Sequence, residues 1–241
     1  MNIALILSGG SGVRVGSSIP KQYIEVAGRP IITYCIKTLS AHDAVDVIWI
    51  VAEKEWQEKI IAWLKMYGLA TKVKGFSLPG ENRQLSILNG LEDIALFAKE
   101  EDYVMVHDAA RPCLSAQMIS DCFAGVNGHD GVLPVLPMKD TVYLSKDGQS
   151  ITSLLDRQQI FAGQAPEVFV LGKYLDANRE LLAKECENAD GKTQSAILSI
   201  NGSTEPAILA GLDVVMIPGE EENFKITTRE DLERFRKLVE G

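Results

Sequence analysis

Short, continuous apolar runs alternate with helically spaced stretches through the first half of the chain. Runs at residues 3–7, 45–52, 103–107 and 132–136 read as strands. Stretches at about 30–39, 54–67, 83–97 and 116–126 place apolar residues at helical spacing between them. Strands that are apolar throughout are buried on both faces, so this order predicts a mostly parallel sheet with helices on each side. Ligands of such sheets bind beyond the carboxyl ends of the strands. The rhythm breaks after Asp140, where Thr141 to Leu144, a Lys146-Asp147-Gly148 turn and a run at 151–155 predict an inserted β-hairpin. A lone hairpin has too little core to stand by itself, and a second copy of the chain is the simplest thing for it to pack on. Near the end, 213–217 reads as a strand, and Thr228 with Asp231 forms a variant capping box that opens a helix at about 230–239.

The first strand runs directly into Ser8-Gly9-Gly10-Ser11-Gly12, followed by Arg14 and Pro20-Lys21-Gln22. Glycines let backbone N–H groups turn toward an anion, and the arginine and lysine neutralise its charge. This is the chemistry of a nucleoside triphosphate cradle, although glycines also serve ordinary strand-to-helix turns. Two familiar phosphate loops are excluded. No Gly-Lys-Ser/Thr run follows, and the glycine after Gly10 and Gly12 is Gly16, which breaks the dinucleotide spacing.

The chain has 241 residues, 46% of them hydrophobic, which suits one large α/β domain with a modest arm. Its formal net charge of −9 argues against a nucleic-acid partner, so positive charge for a small anion must be gathered locally. Arg14, Lys21, Arg83, Arg111, Arg157 and Lys225 are the candidates. Cys35, Cys113, Cys122 and Cys186 are scattered without a Cys-x-x-Cys pair, and reduced thiols are expected rather than a zinc site. No apolar stretch approaches the roughly 20 residues that span a bilayer. Met1-Asn2-Ile3 leads straight into a strand without the features of a signal peptide, so a cytoplasmic location is expected.

Five separated segments carry the remaining signal. They are the glycine loop with its Pro20-Lys21-Gln22-Tyr23 tail; Gly80-Glu81-Asn82-Arg83-Gln84-Leu85-Ser86; and His107-Asp108-Ala109-Ala110-Arg111-Pro112. Next come Asp140-Thr141 with Asp156-Arg157 and Gln164-Ala165-Pro166-Glu167, and last Asn223-Phe224-Lys225-Ile226-Thr227-Thr228. In this order they resemble the cytidylyltransferase family that includes the 2-C-methyl-D-erythritol 4-phosphate and ribitol-5-phosphate enzymes, from residue 3 to about 235.

The resemblance implies a Rossmann-like nucleotidyltransferase type A fold with a projecting hairpin arm at about 139–160. It implies attack of a polyol phosphate on the α-phosphorus of CTP, with release of pyrophosphate and with Mg²⁺ accompanying CTP. Such transfers need an in-line nucleophile and positive charge at the equatorial oxygens. By the same resemblance Arg14 and Lys21 hold the triphosphate, on the loop of Gly10 and Gly12. Lys225 stabilises the pentacoordinate phosphorus. Ser8, Gly9, Gly80, Glu81 and Ser86 surround the cytosine. Arg83 either joins the CTP site or pairs with a nearby carboxylate. Asp108 and Arg111 contact the polyol substrate, with Asp108 orienting its hydroxyls or ligating Mg²⁺. Thr141 and Arg157 reach across a two-fold axis to the substrate phosphate of a neighbouring subunit, which implies a homodimer with shared sites. Plain structural readings stand beside these: Lys225 as a solvated lysine, Ser86 on a helix surface, Asp108 capping a turn.

Two departures fall on the acceptor side. Ala165-Pro166-Glu167 stands where the family has Thr-Pro-Gln, removing a hydroxyl and adding a carboxyl that is expected to point to solvent. Ile200 to Ala207 replaces a Thr-Asp-Asp/Glu-Ala-Ser stretch; Pro206 is expected to disrupt the local helix start, and Ser203 or Thr204 to offer replacement phosphate donors. The methylerythritol phosphate is favoured as acceptor, with ribitol phosphate or a related polyol phosphate as the alternative. Two further readings are a silent nucleotide-binding regulatory module and a sugar-1-phosphate nucleotidyltransferase that uses another base.

Overall fold

The computed structural model describes residues 1–10, 19–187 and 202–241, without the side chains of 182–187. Arg14 and Gly12 therefore lie outside the described residues. The first half contains β1 (Asn2–Leu7), β2 (Glu25–Val26), β3 (Arg29–Pro30), α1 (Ile32–Ala41), β4 (Val47–Val51), α2 (Lys54–Met66), β5 (Val73–Ser77), α3 (Arg83–Ala95), β6 (Tyr103–Asp108) and α4 (Ala116–Gly125). Then follow β7 (Gly131–Pro137), β8 (Val142–Leu144), β9 (Ser153–Leu155), β10 (Phe161–Gly163), β11 (Glu167–Val170), α5 (Leu171–Glu187), α6 (Glu205–Leu209), β12 (Val214–Pro218) and α7 (Arg229–Glu240).

The main sheet runs β10-β7-β11-β6-β1-β4-β5, with β12 added along β7. The pairs β1–β4, β1–β6, β4–β5 and β7–β12 are parallel. The strand β11 enters antiparallel between β6 and β7, and β10 is antiparallel to β7. The expected mostly parallel sheet is present, with an antiparallel insertion that the sequence pattern does not announce.

Alternation along β1 explains the layering. Ala4 and Ile6 pack with Ile32, Cys35, Ile36 and Leu39 of α1 and with α2 and α4. Ile3 and Leu5 pack on the other face with Ile87, Leu91 and Ile94 of α3 and with α5. Each of these side chains is fully or nearly fully buried, and burying one of the isoleucines or leucines contributes about 1.5–3 kcal/mol. A third cluster joins Val26 and Ile31 to Leu232 and Phe235 of α7, with Ile226 between them. The predicted cap is present: the Thr228 hydroxyl accepts from Asp231 N, and an Asp231 carboxylate oxygen accepts from Thr228 N at 2.8 Å. Inward-facing Ile226 and this capped helix fix the chain that follows Lys225.

Strands β8 and β9 form a separate two-stranded sheet, as expected for the arm. Tyr143, Leu144, Ile151 and Leu154 are exposed on it. Two expectations require correction. Glu167 is buried, not turned to solvent, and its carboxylate accepts a hydrogen bond from the Ser203 hydroxyl. Pro206 sits within the first turn of α6, where its missing N–H costs no helical bond, so it does not disrupt that helix. Ser203 and Thr204 are buried, and Ser203's hydroxyl is committed to Glu167.

Candidate active site

The carboxyl ends of β1, β4 and β6, together with the loop after β5, open into one cleft of about 670 Å³. Its lining includes Gly9, Gly10, Lys21, Glu53, Gly80, Glu81, Asn82, Arg83, Ser86, Asp108 and Lys225. Lysines 21 and 225, distant in sequence, thus face one space.

The first loop is shaped from behind by its own tail. Gln22 Nε2 donates to Ser8 O at 2.6 Å and to Gly10 O at 2.8 Å. Tyr23 Oη and Ser8 Oγ lie 2.5 Å apart, and Tyr23 stacks on Trp56. Ser8 is buried, so its hydroxyl braces Tyr23 while its neighbours Gly9 and Gly10 line the cleft.

The opposing loop is held by Ser86. Its hydroxyl accepts from Gly80 N at 3.0 Å and donates to Asn82 O at 2.7 Å. Asn82 caps α3, its Oδ1 accepting from Leu85 N at 2.9 Å. The positive end of that helix therefore faces the cleft. The helix after Pro112, α4, starts at Ala116 and contributes no residue to the cleft lining, which α3 supplies instead.

The two loops touch without room to spare. A Cβ at Gly9 would lie 2.4 Å from Pro79 Cβ, and one at Gly80 would lie 2.4 Å from Leu85 Cβ. Overpacking of this kind costs roughly 1–3 kcal/mol. Gly80→Ala is expected to raise the KM for CTP about tenfold, because ~1.4 kcal/mol lost from the nucleotide-bound loop is one decade. Steady-state kinetics at saturating acceptor checks this.

Asp108, the last residue of β6, gathers the cations. Its Oδ1 accepts from Arg83 Nη2 at 3.1 Å and from Nε at 3.3 Å. Lys225 Nζ lies 2.8 Å from Oδ2, and Arg111 Nε is 3.9 Å from the same oxygen. Burial pushes this carboxyl up, but Arg83, Lys225 and Arg111 together outweigh it and hold it well below the usual carboxylate range. Of the two readings open for Arg83, the structure displays the pairing with a carboxylate, at a position that also lines the cleft. His107 is pushed down to about 4 by burial and stays neutral; its Nε2 donates to Arg111 O at 3.1 Å.

Arg111 does not face the cleft. Its Nη1 donates to Asn223 O at 2.6 Å, and Ile226 N donates to Ala110 O at 2.8 Å. The segment after β6 thus fastens the Lys225 loop. Arg157 and Thr141 are exposed on the arm and do not join the cleft of their own chain; Arg157 Nη1 donates to Lys139 O at 2.9 Å. Gln22, Glu53 and Asn82 are cleft or loop-shaping residues that sequence reasoning passed over. Gln22 is legible in the sequence as the third residue of the Pro-Lys-Gln tail.

In this arrangement cations take both oxygens of Asp108. Among the described residues no group of three His, Cys, Asp or Glu side chains could hold a metal ion. No helix among them is long and apolar enough to cross a membrane.

The family described as IspD, 2-C-methyl-D-erythritol 4-phosphate cytidylyltransferase, matches residues 2–240. A ribitol-5-phosphate cytidylyltransferase of Streptococcus agalactiae is 31% identical over 100% of this chain and 96% of its own length. A 2-C-methyl-D-erythritol 4-phosphate cytidylyltransferase of Rubrobacter xylanophilus is 34% identical over 95% of this chain and 91% of its own. In fold, the chain superposes on a 4-diphosphocytidyl-2C-methyl-D-erythritol synthase of Anaerococcus prevotii with a TM-score of 0.80, at 22% identity and covering 100% and 96% of the two chains. The 2-C-methyl-D-erythritol 4-phosphate cytidylyltransferase of Francisella tularensis gives a TM-score of 0.78, at 23% identity and 98% coverage of both. With its family-wide sequence match and a nucleotide-sized cleft at the sheet's carboxyl edge, this chain belongs to the 2-C-methyl-D-erythritol 4-phosphate cytidylyltransferase family.

Proposed function

We propose that this protein is a cytidylyltransferase that moves CMP from CTP to a polyol phosphate and releases pyrophosphate. The observation that carries the reading is Lys225 and Lys21 facing one cleft between the two glycine loops. The base sits against Gly9, Gly80 and Glu81, where fixed backbone groups read its edge without reorganising. The triphosphate lies along Gly10 and Lys21, and the family resemblance adds Gly12 and Arg14 of the same loop. Lys225 supplies charge to the equatorial oxygens of the α-phosphorus as they become more negative. Asp108 parks Lys225 and Arg83 until phosphate competes for them, and then turns to the acceptor hydroxyls. Mg²⁺ would enter with CTP and add positive charge at its phosphates.

The acceptor we favour is 2-C-methyl-D-erythritol 4-phosphate, placing the protein in isoprenoid precursor synthesis. Ribitol 5-phosphate is the second reading, favoured by the Streptococcus relative. Initial rates with each acceptor at fixed CTP decide between them: a kcat/KM at least tenfold higher for methylerythritol phosphate is expected, and the reverse order overturns the choice.

The proposal extends to a homodimer with shared sites. Its support is the arm, whose exposed Tyr143, Leu144, Ile151 and Leu154 lack a core of their own, and which holds Thr141 and Arg157 outside the cleft. Arg157→Ala is then expected to raise the acceptor KM at least tenfold while CTP binding stays near normal, because it removes a charged contact to the acceptor phosphate alone. With acceptor well below the KM of that variant, mixing it with Lys225→Ala subunits is expected to raise the rate severalfold, since each mixed dimer has one intact site. No recovery after verified subunit exchange would sink the shared-site reading. A cytoplasmic location completes the proposal, supported by the need for CTP and by the unpaired Cys35, Cys113 and Cys122.

A further inference from the structure

Lys225 stands on the loop between β12 and α7, and a loop alone aims a long side chain poorly. One buried amide ties down the start of that loop. Gln164 N donates to Pro134 O at 2.8 Å, while Gly219 N donates to Val135 O at 2.8 Å. Consecutive carbonyls of a strand point to opposite edges, so these two segments flank β7 on either side. The Gln164 side chain bridges them: Nε2 donates to Glu220 O at 3.0 Å, and Oε1 accepts from Glu220 N at 3.0 Å.

This contact is specific to an amide. Glutamine offers one donor and one acceptor in a plane, matching the N–H and C=O of a single residue. A carboxylate would keep the bond from Glu220 N and repel Glu220 O. Gly219 is what admits the side chain, for a Cβ there would lie 2.5 Å from Gln164 Oε1. The next residue adds a second tie, as Asn223 Nδ2 donates to Ala165 O at 2.8 Å. Gln164 and Ala165 therefore hold the loop at residues 220 and 223, two positions before Lys225. Gln164 itself is 6% exposed and does not line the cleft.

We propose that Gln164 is a positioning residue for Lys225: by fixing Glu220 across β7 it sets where the ammonium meets the reacting phosphorus. The inference rests on the role given to Lys225 above. Misplacement of a catalytic group by about 1 Å costs up to about a hundredfold. Gln164→Ala is therefore expected to lower kcat roughly ten- to a hundredfold with little change in the KM for CTP. Gly219→Ala, which displaces the same amide from the other side, should reproduce that split, and Gln164→Glu should show it with side-chain volume preserved.

The decisive comparison is a double-mutant cycle with Lys225→Ala, using rates per folded molecule. In that background Gln164→Ala is expected to remove nothing further, because its target is already gone. An equal loss in both backgrounds, or wild-type kcat in Gln164→Ala and Gly219→Ala, overturns the positioning role while leaving the role of Lys225 intact. Unchanged kcat in Lys225→Ala itself overturns the Lys225 assignment, and this proposal with it.

Discussion

Replacing Lys225 by alanine is expected to lower kcat by about two or more orders of magnitude, since it removes charge where the transition state gains it. The ground state pulls the other way. In the unliganded protein Lys225 is paired with Asp108 at 2.8 Å, so part of its attraction for phosphate is spent in breaking that pair. Losing Lys225 should therefore change CTP affinity only a few-fold. A kcat effect with nearly constant CTP affinity is the signature of an interaction made chiefly in the transition state. Single-turnover rates and equilibrium CTP binding, measured side by side, check the split.

Asp108→Asn is expected to separate stability, nucleotide affinity and catalysis. The variant keeps the side chain's shape but leaves Arg83, Arg111 and Lys225 facing one another without the carboxylate they share. Breaking a buried ion cluster costs about 3–5 kcal/mol; Arg83 and Lys225 retain about a third of their side-chain exposure, which screens the remaining repulsion to about 2–3 kcal/mol. For a chain of this size that is a fall in Tm of about 4–12 °C. CTP should recover more of that loss in the variant than it adds to the wild type, because its phosphates replace the missing anion. Turnover should fall, because the acceptor loses its orienting carboxylate.

The pH dependence follows from the sign of the Asp108 shift. Its carboxyl titrates below the ordinary range, so its stabilisation is fully present above about pH 4 and is lost as the pH falls through the depressed value. Asparagine does not titrate there. The Tm gap between wild type and Asp108→Asn should be constant near neutrality and close only in strong acid. A gap that closes between pH 7 and 5 would contradict the ion-cluster account.

The sequence makes the parallel core readable because β1, β4 and β6 are continuous apolar runs buried on both faces. The arm and the cap of α7 are equally legible, since a Gly-containing turn and a Thr-to-Asp spacing are local signals. β5 escapes because Val-Lys-Gly-Phe-Ser is only half-buried, and its glycine lies under the Trp49 ring instead of adding an apolar residue. β11 escapes because it is four residues long and opens with Glu167, a residue type rarely buried without a partner. Its burial depends on Ser203, which comes from a distant segment, and no local pattern reports that contact.

The candidate site divides along the same line. Lys21, Arg83, Asp108 and Lys225 lie on short motifs at element ends, where residue type and position reveal the chemistry. The supports of those residues are tertiary. Arg111 reads as a substrate contact from sequence, yet its guanidinium fastens Asn223. Gln164 carries no catalytic signature, yet it holds the loop of Lys225 from across a strand. Ser8 reads as a base contact, while its hydroxyl braces Tyr23.

The central claim is transfer of CMP from CTP to a polyol phosphate in the cleft of Lys21 and Lys225. The most direct measurement mixes the full chain with CTP, Mg²⁺ and a panel of polyol phosphates, and follows pyrophosphate together with the cytidine-diphosphate-linked product. The account predicts equal amounts of both, dependent on acceptor and abolished in Lys225→Ala. Tight CTP binding with neither product, whatever the acceptor, would contradict it and leave a nucleotide-binding module in place of an enzyme.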